Sequence, residues 1–77
     1  MDNKFWWYTS IEDLKREKYP SVVIDLTKVN TSVDELNNWC KQQGMLHWKW
    51  ERIGYGAPFR YWFQNHEDAV LFELTWL

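Results

Sequence analysis

The sequence predicts a small α+β domain in which an antiparallel sheet carries two helices on one face. Three observations predict it. Residues 21–26 form a β-branched run, residues 32–44 form a capped amphipathic segment, and two alternating segments flank a Gly-containing turn. The chain has 77 residues, near the lower limit for a domain that folds alone. We therefore expect one domain over 1–77, with an N-terminal strand and short helix over 1–20 and a core over 21–77.

The first twenty residues contain an aromatic run followed by a short helical segment. Residues 5–8, Phe-Trp-Trp-Tyr, have the composition of a strand. Ser10 has the position of a helix cap, and an acidic residue follows three positions later. The predicted helix contains Leu14 and ends before Pro20, because a residue that precedes proline avoids the helical region.

The first half of the core predicts one strand and one helix. Residues 21–26 are apolar and β-branched, which is typical of a strand. Ser32 and Glu35 have the spacing of a capping box, and Gly44 has the usual position after a helix end. Between them, one apolar stripe is formed by Val33, Leu36, Trp39 and Cys40.

The second half of the core predicts a hairpin and a second helix. Residues 46–53 and 59–63 alternate in polarity on either side of a turn at 54–58. Asn65 caps a helix that runs at least to Leu71. The end of the chain fits either a strand or further helix. The expected inward faces of the hairpin are Leu46, Trp48 and Trp50 on the first strand, and Phe59, Tyr61 and Phe63 on the second.

The order strand, helix, strand, strand, helix is that of the split βαβ, or ferredoxin-like, architecture. Both helices then cover one face of the sheet. The other face stays open unless residues 5–8 or a partner covers it.

Two stretches resemble the RNA-recognition motif, which has this architecture. They are SVDEL at 32–36, continued through Trp39, Cys40 and Gly44, and FQNHEDA at 63–69. The resemblance implies the fold of that family. Its base-stacking positions fall on Val23, Pro58 and Arg60, so the usual stacking aromatics are absent and only Trp62 could serve as a substitute.

The end of the chain, from EDA at 67–69 to Phe72, Leu74 and Trp76, resembles small uncharacterised phage proteins. This resemblance implies a viral protein that acts on a host or viral partner. The first ten residues lack the apolar core of a signal peptide, and no stretch approaches the ~20 apolar residues of a membrane span. We therefore expect a cytoplasmic protein, in the host cytoplasm if it is viral, with no membrane partner.

The chemistry-bearing residues predict no enzyme, no cofactor and no metal site. Cys40 is the one cysteine, it stands with two histidines, and no zinc spacing results. We interpret Cys40 as a buried, unreactive thiol on the helix stripe. The run His66-Glu67-Asp68 is interpreted as acidic residues that complement a helix N-terminus, and His47 as a surface residue.

The aromatic content predicts a binding surface. Seven Trp, four Tyr and four Phe make up 19% of the chain, more than so small a core is expected to hide. The adjacent Trp6 and Trp7 would point to opposite sides of a strand, so one should pack on the core and the other should be accessible. The predicted binding residues are Trp6, Trp7, Tyr55, Arg60 and Trp62.

These observations favour a non-catalytic module that binds a protein partner or a second copy of itself. The alternative is binding of single-stranded nucleic acid or a nucleotide on the open sheet face, through Lys49, Arg52, Arg60 and Trp62. Nucleic acid is the less favoured partner because the net charge is −2 and no basic stripe is present.

Overall fold

The computed structural model describes residue 6, residues 9–56 and residues 58–77. The elements, in chain order, are α1 (Ile11–Arg16), β1 (Ser21–Asp25), α2 (Leu26–Val29), α3 (Val33–Gln42), β2 (Trp48–Arg52), β3 (Pro58–Phe63) and α4 (His66–Trp76). The three strands form an antiparallel sheet in the order β1-β3-β2. The predicted α+β class with an antiparallel sheet is therefore confirmed.

The end of the chain, which fitted either a strand or a helix, is helical. The Asn65 side chain accepts a hydrogen bond from the Asp68 amide at 2.9 Å and caps α4, which then continues to Trp76. The described residues consequently contain three strands and no fourth. The short helix α2 was not predicted; it begins where the Asp25 carboxylate accepts hydrogen bonds from the amide and hydroxyl of Thr27.

Helix α3 begins and ends where its sequence predicts. The Ser32 hydroxyl accepts from the Glu35 amide at 3.2 Å. At the other end, the Gly44 amide donates to the Lys41 carbonyl and the Met45 amide donates to the Cys40 carbonyl. This paired closure needs a left-handed residue, and Gly44 supplies it with a φ of +78°. The helix therefore ends at Gln42, and the chain turns at Gly44 so that the buried Met45 rejoins the core.

The first face of the sheet carries the main core. In the strand register, Tyr61 of β3 lies opposite Val22 of β1 and Trp50 of β2. Phe72 of α4 stacks on Tyr61, with ring centroids 5.1 Å apart. Both long helices contribute to this cluster, whose buried members are Val22, Ile24, Leu36, Cys40, Met45, Phe59, Tyr61, Phe63, Ala69 and Phe72.

The second face of the sheet carries a smaller cluster formed by Trp6, Leu14 and Trp62, with Ile11 and Tyr19 packed against it. The sheet face that faces away from the main core is thus covered at Trp62 by Trp6 and Leu14. The expectation of a strand at residues 5–8 is wrong at Trp6, whose backbone is 3-10 helical. The other residues of that run, Phe5, Trp7 and Tyr8, lie outside the described residues.

Replacing Leu36 with alanine should lower the free energy of unfolding by about 2–4 kcal/mol, because Leu36 is fully buried where α3 meets the sheet. Asn38→Ala, an exposed position on the same helix, is the control and should shift stability by less than about 0.5 kcal/mol. Urea denaturation followed by circular dichroism measures both. Equal midpoints for the two variants would contradict the placement of Leu36 in the core.

Candidate functional site

Trp62, a predicted binding residue, lies in the interior. It is 4% exposed, and its indole Nε1 donates to Glu51 Oε2 at 2.9 Å. The guanidinium of Arg60 lies 5.7 Å from the centre of its ring. The expectation that Trp62 reaches the surface is therefore wrong. The physical reason is that Trp6 and Leu14 pack over the sheet face to which its side chain points.

Trp6, another predicted binding residue, is fully buried and packs with Leu14 and Trp62 on the second face of the sheet. Its ring meets that of Tyr19 edge-on, with centroids 5.9 Å apart. The Lys49 ammonium lies 5.6 Å from the Trp6 ring centre and donates to the carbonyl of Thr9. Burial lowers the pKa of Lys49. One of the adjacent residues Trp6 and Trp7 was expected to pack on the core. Trp6 is packed, and Trp7 lies outside the described residues.

His47, interpreted from the sequence as a surface residue, is buried beside Trp6, with ring centroids 6.0 Å apart. Lys49, on the same side of the sheet, is partly buried for the same reason. The interpretation of His47 as a surface residue is wrong because Trp6, distant in sequence, packs on this face.

Tyr55 and Arg60 differ in exposure. Tyr55 is 100% exposed in the turn between β2 and β3. Arg60 is partly buried, and its Nε has no hydrogen-bond partner among the described residues. The structure thus brings Trp6, Arg60 and Trp62 to one face as packed residues and leaves Tyr55 apart from them at the hairpin tip. These described residues do not form one exposed aromatic surface.

An open groove of about 380 Å³ is lined by Ile11, Trp48, Lys49 and Trp50. The Trp48 indole donates to Asn37 Oδ1 at 3.0 Å, which holds that ring against α3. Trp50 stacks on Tyr61 at 6.2 Å and remains 44% exposed. Of the expected inward face Leu46, Trp48 and Trp50, Trp48 packs against the core as predicted. The prediction is wrong for Trp50 and for Leu46, which lies before β2 and is 72% exposed.

Among the described residues, more of the exposed large apolar side chains lie on or directly after α4 than on any other element. The inner side of α4 contributes Ala69 and Phe72 to the core. Its outer side exposes four apolar residues, which we call the α4 outer face: Val70 at 42%, Leu71 at 41%, Leu74 at 79% and, just after the helix, Leu77 at 65%. A helix packed on a core usually exposes polar residues on this side. Sequence reasoning missed this surface, although the apolar residues of 69–77 are too many for one helix face.

The charges on α4 have one sign. Glu67 and Asp68 lie in the first turn and Glu73 lies further along, whereas residues 66–77 contain no lysine or arginine. Glu67, Val70 and Leu74 follow one another at intervals of three and four residues, so they lie on the same side of the helix. The α4 outer face is therefore an apolar stripe with acidic residues at one end and one flank.

The titratable groups of the described part of the chain bear on two kinds of chemistry, metal binding and nucleophilic attack by the buried thiol of Cys40. No group of three or more His, Cys, Asp or Glu side chains could hold a metal ion there. Burial raises the pKa of the Cys40 thiol to about 12, and the negative charge of Asp68 acts in the same direction. A thiol with so high a pKa is not a nucleophile near neutral pH.

The buried Cys40 should react with iodoacetamide only when the domain opens. At a pH near 8 the folded protein should be alkylated at least about a hundredfold more slowly than the urea-unfolded protein, because the thiol is both inaccessible and protonated. Mass spectrometry over time measures both rates. Native labelling as fast as that of the unfolded chain would show that Cys40 is accessible.

Among the residues that the structure describes, no helix is both long enough and apolar enough to span a bilayer. Comparison of the chain with protein-family models, with curated proteins and with solved structures gave no match.

Proposed function

We propose that this chain is a non-catalytic protein-binding module that contacts its partner through the α4 outer face. The observation that carries the proposal is the 79% exposure of Leu74, at the centre of an apolar stripe on a helix whose other side is fixed in the core. An exposed contiguous apolar patch with polar residues at its margin is characteristic of interaction sites.

The stripe has the geometry that helices use to dock with other proteins. Val70, Leu74 and Leu77 occupy positions i, i+4 and i+7, which are typical of helix-in-groove recognition. Phe72 packs against Tyr61 and Phe63 and so holds α4 on the sheet. The helix is therefore presented without further ordering, and the entropic cost of binding is lower than for a flexible segment.

Two leucines of similar exposure allow a matched test. Leu74→Glu places a charge on the α4 outer face, and Leu46→Glu places the same charge at a 72% exposed leucine before β2. Each variant is used for affinity capture with quantitative mass spectrometry. We expect partners captured by the wild type to be retained by Leu46→Glu and lost by Leu74→Glu. Circular dichroism should show that both variants are folded. Equal recovery by the two variants would count against the α4 outer face.

Binding of single-stranded nucleic acid or a nucleotide stays as the alternative. It is supported by the unpartnered Nε of Arg60, which lies on the second face of the sheet. The support is weaker because Trp62 is buried and cannot stack on a base as it stands. Titration of labelled oligonucleotides at low salt, with Arg60→Ala as the comparison, tests it. Binding by the wild type that Arg60→Ala abolishes would favour the alternative.

We also propose that the architecture is a three-stranded form of the ferredoxin-like arrangement, as in the RNA-recognition motif. The support is that β1 lies beside β3, with α3 between β1 and β2 in the chain and α4 after β3. A phage origin and a cytoplasmic location stay predictions from the sequence.

A further inference from the structure

We propose that the partner of the α4 outer face is a cationic amphipathic helix, with apolar residues that meet the leucines and lysine or arginine residues that meet Glu67 and Glu73. This inference rests on the proposed function and identifies the chemistry of the partner.

The apolar part of the surface favours a helical occupant. Leu74 stands at the centre of the stripe, with Val70 and Leu77 in line with it and Leu71 beside them. Side chains spaced three and four residues apart form ridges that fit the grooves of another helix. The stripe from Val70 to Leu77 spans roughly 10 Å at 1.5 Å per residue, which is about two turns of a partner helix.

The charged part of the surface determines the sign of the charge that the partner carries. Glu67 extends the stripe by one turn and Glu73 borders it, about 9 Å further along the axis. No basic residue within 66–77 neutralises them. Cations spaced about two turns apart on a partner helix could meet both carboxylates. Such exposed pairs contribute little affinity each, but they select the sign of the partner and its orientation.

The same charges disfavour the other occupants. A two-fold antiparallel pairing of α4 with a second copy, centred near Leu74, would bring Glu73 of both copies close to the symmetry axis. Like charges there weaken self-association. An anionic membrane surface would repel the acidic margin of this face, whereas membrane-surface helices carry lysine and arginine on their polar side.

Synthetic helical peptides test the inference directly. The first carries a leucine stripe flanked by lysines, the second carries the same stripe flanked by glutamates, and the third keeps the lysines but scrambles the stripe. Binding of each labelled peptide to the full chain is measured by fluorescence anisotropy. We expect the lysine-flanked peptide to bind at least about tenfold more tightly than either of the others, because only it matches both the stripe and the charges.

Variants separate the two parts of the inference. Glu67→Gln combined with Glu73→Gln should weaken binding of the lysine-flanked peptide by about five- to tenfold and reduce its salt dependence. Leu74→Glu should weaken it by more than about tenfold, and Leu46→Glu should leave it unchanged. Circular dichroism verifies that each variant is folded.

The outcomes that overturn the inference are distinct from those that overturn the proposed function. Equal binding of the lysine- and glutamate-flanked peptides, binding of neither, or indifference to the double glutamine variant overturns the cationic partner. The capture comparison of Leu74→Glu with Leu46→Glu still decides the docking face. A wild-type dimer in sedimentation equilibrium that Leu74→Glu dissociates identifies a second copy as the occupant. Tighter binding to phosphatidylserine vesicles than to the peptide identifies a membrane.

Discussion

Replacing Trp6 with alanine is expected to lower the free energy of unfolding by about 3–5 kcal/mol. The Trp6 ring is fully buried, with Leu14 and Trp62 beside it and the Lys49 ammonium above it. Its loss removes a large apolar surface and leaves a cavity over the second face of the sheet. Because small domains have a total stability of roughly 5–15 kcal/mol, much of the population could unfold near body temperature. Urea titration monitored by far-UV circular dichroism measures the change.

The control is Tyr55→Ala, which removes an aromatic ring that is fully exposed. It should alter stability by less than about 0.5 kcal/mol. Trp62→Ala should be destabilising as well, and the double variant with Trp6→Ala should lose less than the sum of the two because they share one cluster. Strict additivity, or a Trp6→Ala midpoint close to the wild-type value, would show that Trp6 does not stabilise the cluster on the second face of the sheet.

The elements of this fold could be predicted where the signal is local. Ser32 and Asn65 cap α3 and α4 through hydrogen bonds to amides three residues later, and these bonds depend on residues adjacent in sequence. Leu36 and Cys40 are buried because they recur on one side of α3. The alternation in β3 likewise predicted that Phe59, Tyr61 and Phe63 face the core.

The predicted site failed where burial depends on contacts between distant residues. Alternation assigned Trp62 and His47 correctly to the side of the sheet away from the main core. It could not show that this side is covered, because the cover comes from Trp6 and Leu14, which lie more than thirty residues earlier. The exposure of an aromatic side chain depends on tertiary contacts, and the periodicity of one strand does not predict those contacts.

The α4 outer face escaped prediction for a different reason. Phe72, Leu74 and Trp76 alternate as a strand would, whereas Ala69, Phe72 and Trp76 follow a helical spacing. With apolar residues on every side, the segment lacks the polar face that would have identified it as a helix and its exposed side as unusual. The helix forms because Asn65 caps it and because its inner residues pack on the sheet.

Phe72→Ala and Leu74→Ala, two residues apart on α4, should have opposite consequences. Phe72 is fully buried, and its ring lies 5.1 Å from Tyr61, 5.2 Å from Phe63 and 5.9 Å from Trp39. Its truncation should cost about 3–5 kcal/mol of unfolding free energy, measured by urea titration. Leu74 is 79% exposed, so its truncation should cost less than about 0.5 kcal/mol.

Peptide binding should depend on Leu74 and not on Phe72, because Leu74 contributes apolar surface that only a partner would bury. Leu74→Ala should weaken binding of the lysine-flanked peptide severalfold while the domain remains folded. Phe72→Ala can be kept folded by a stabilising buffer. Under those conditions its affinity for the lysine-flanked peptide should be close to that of the wild type, since Phe72 faces the core. If instead Leu74→Ala lost stability and retained binding, the two sides of α4 would have been exchanged, and both the core assignment and the docking face would be wrong.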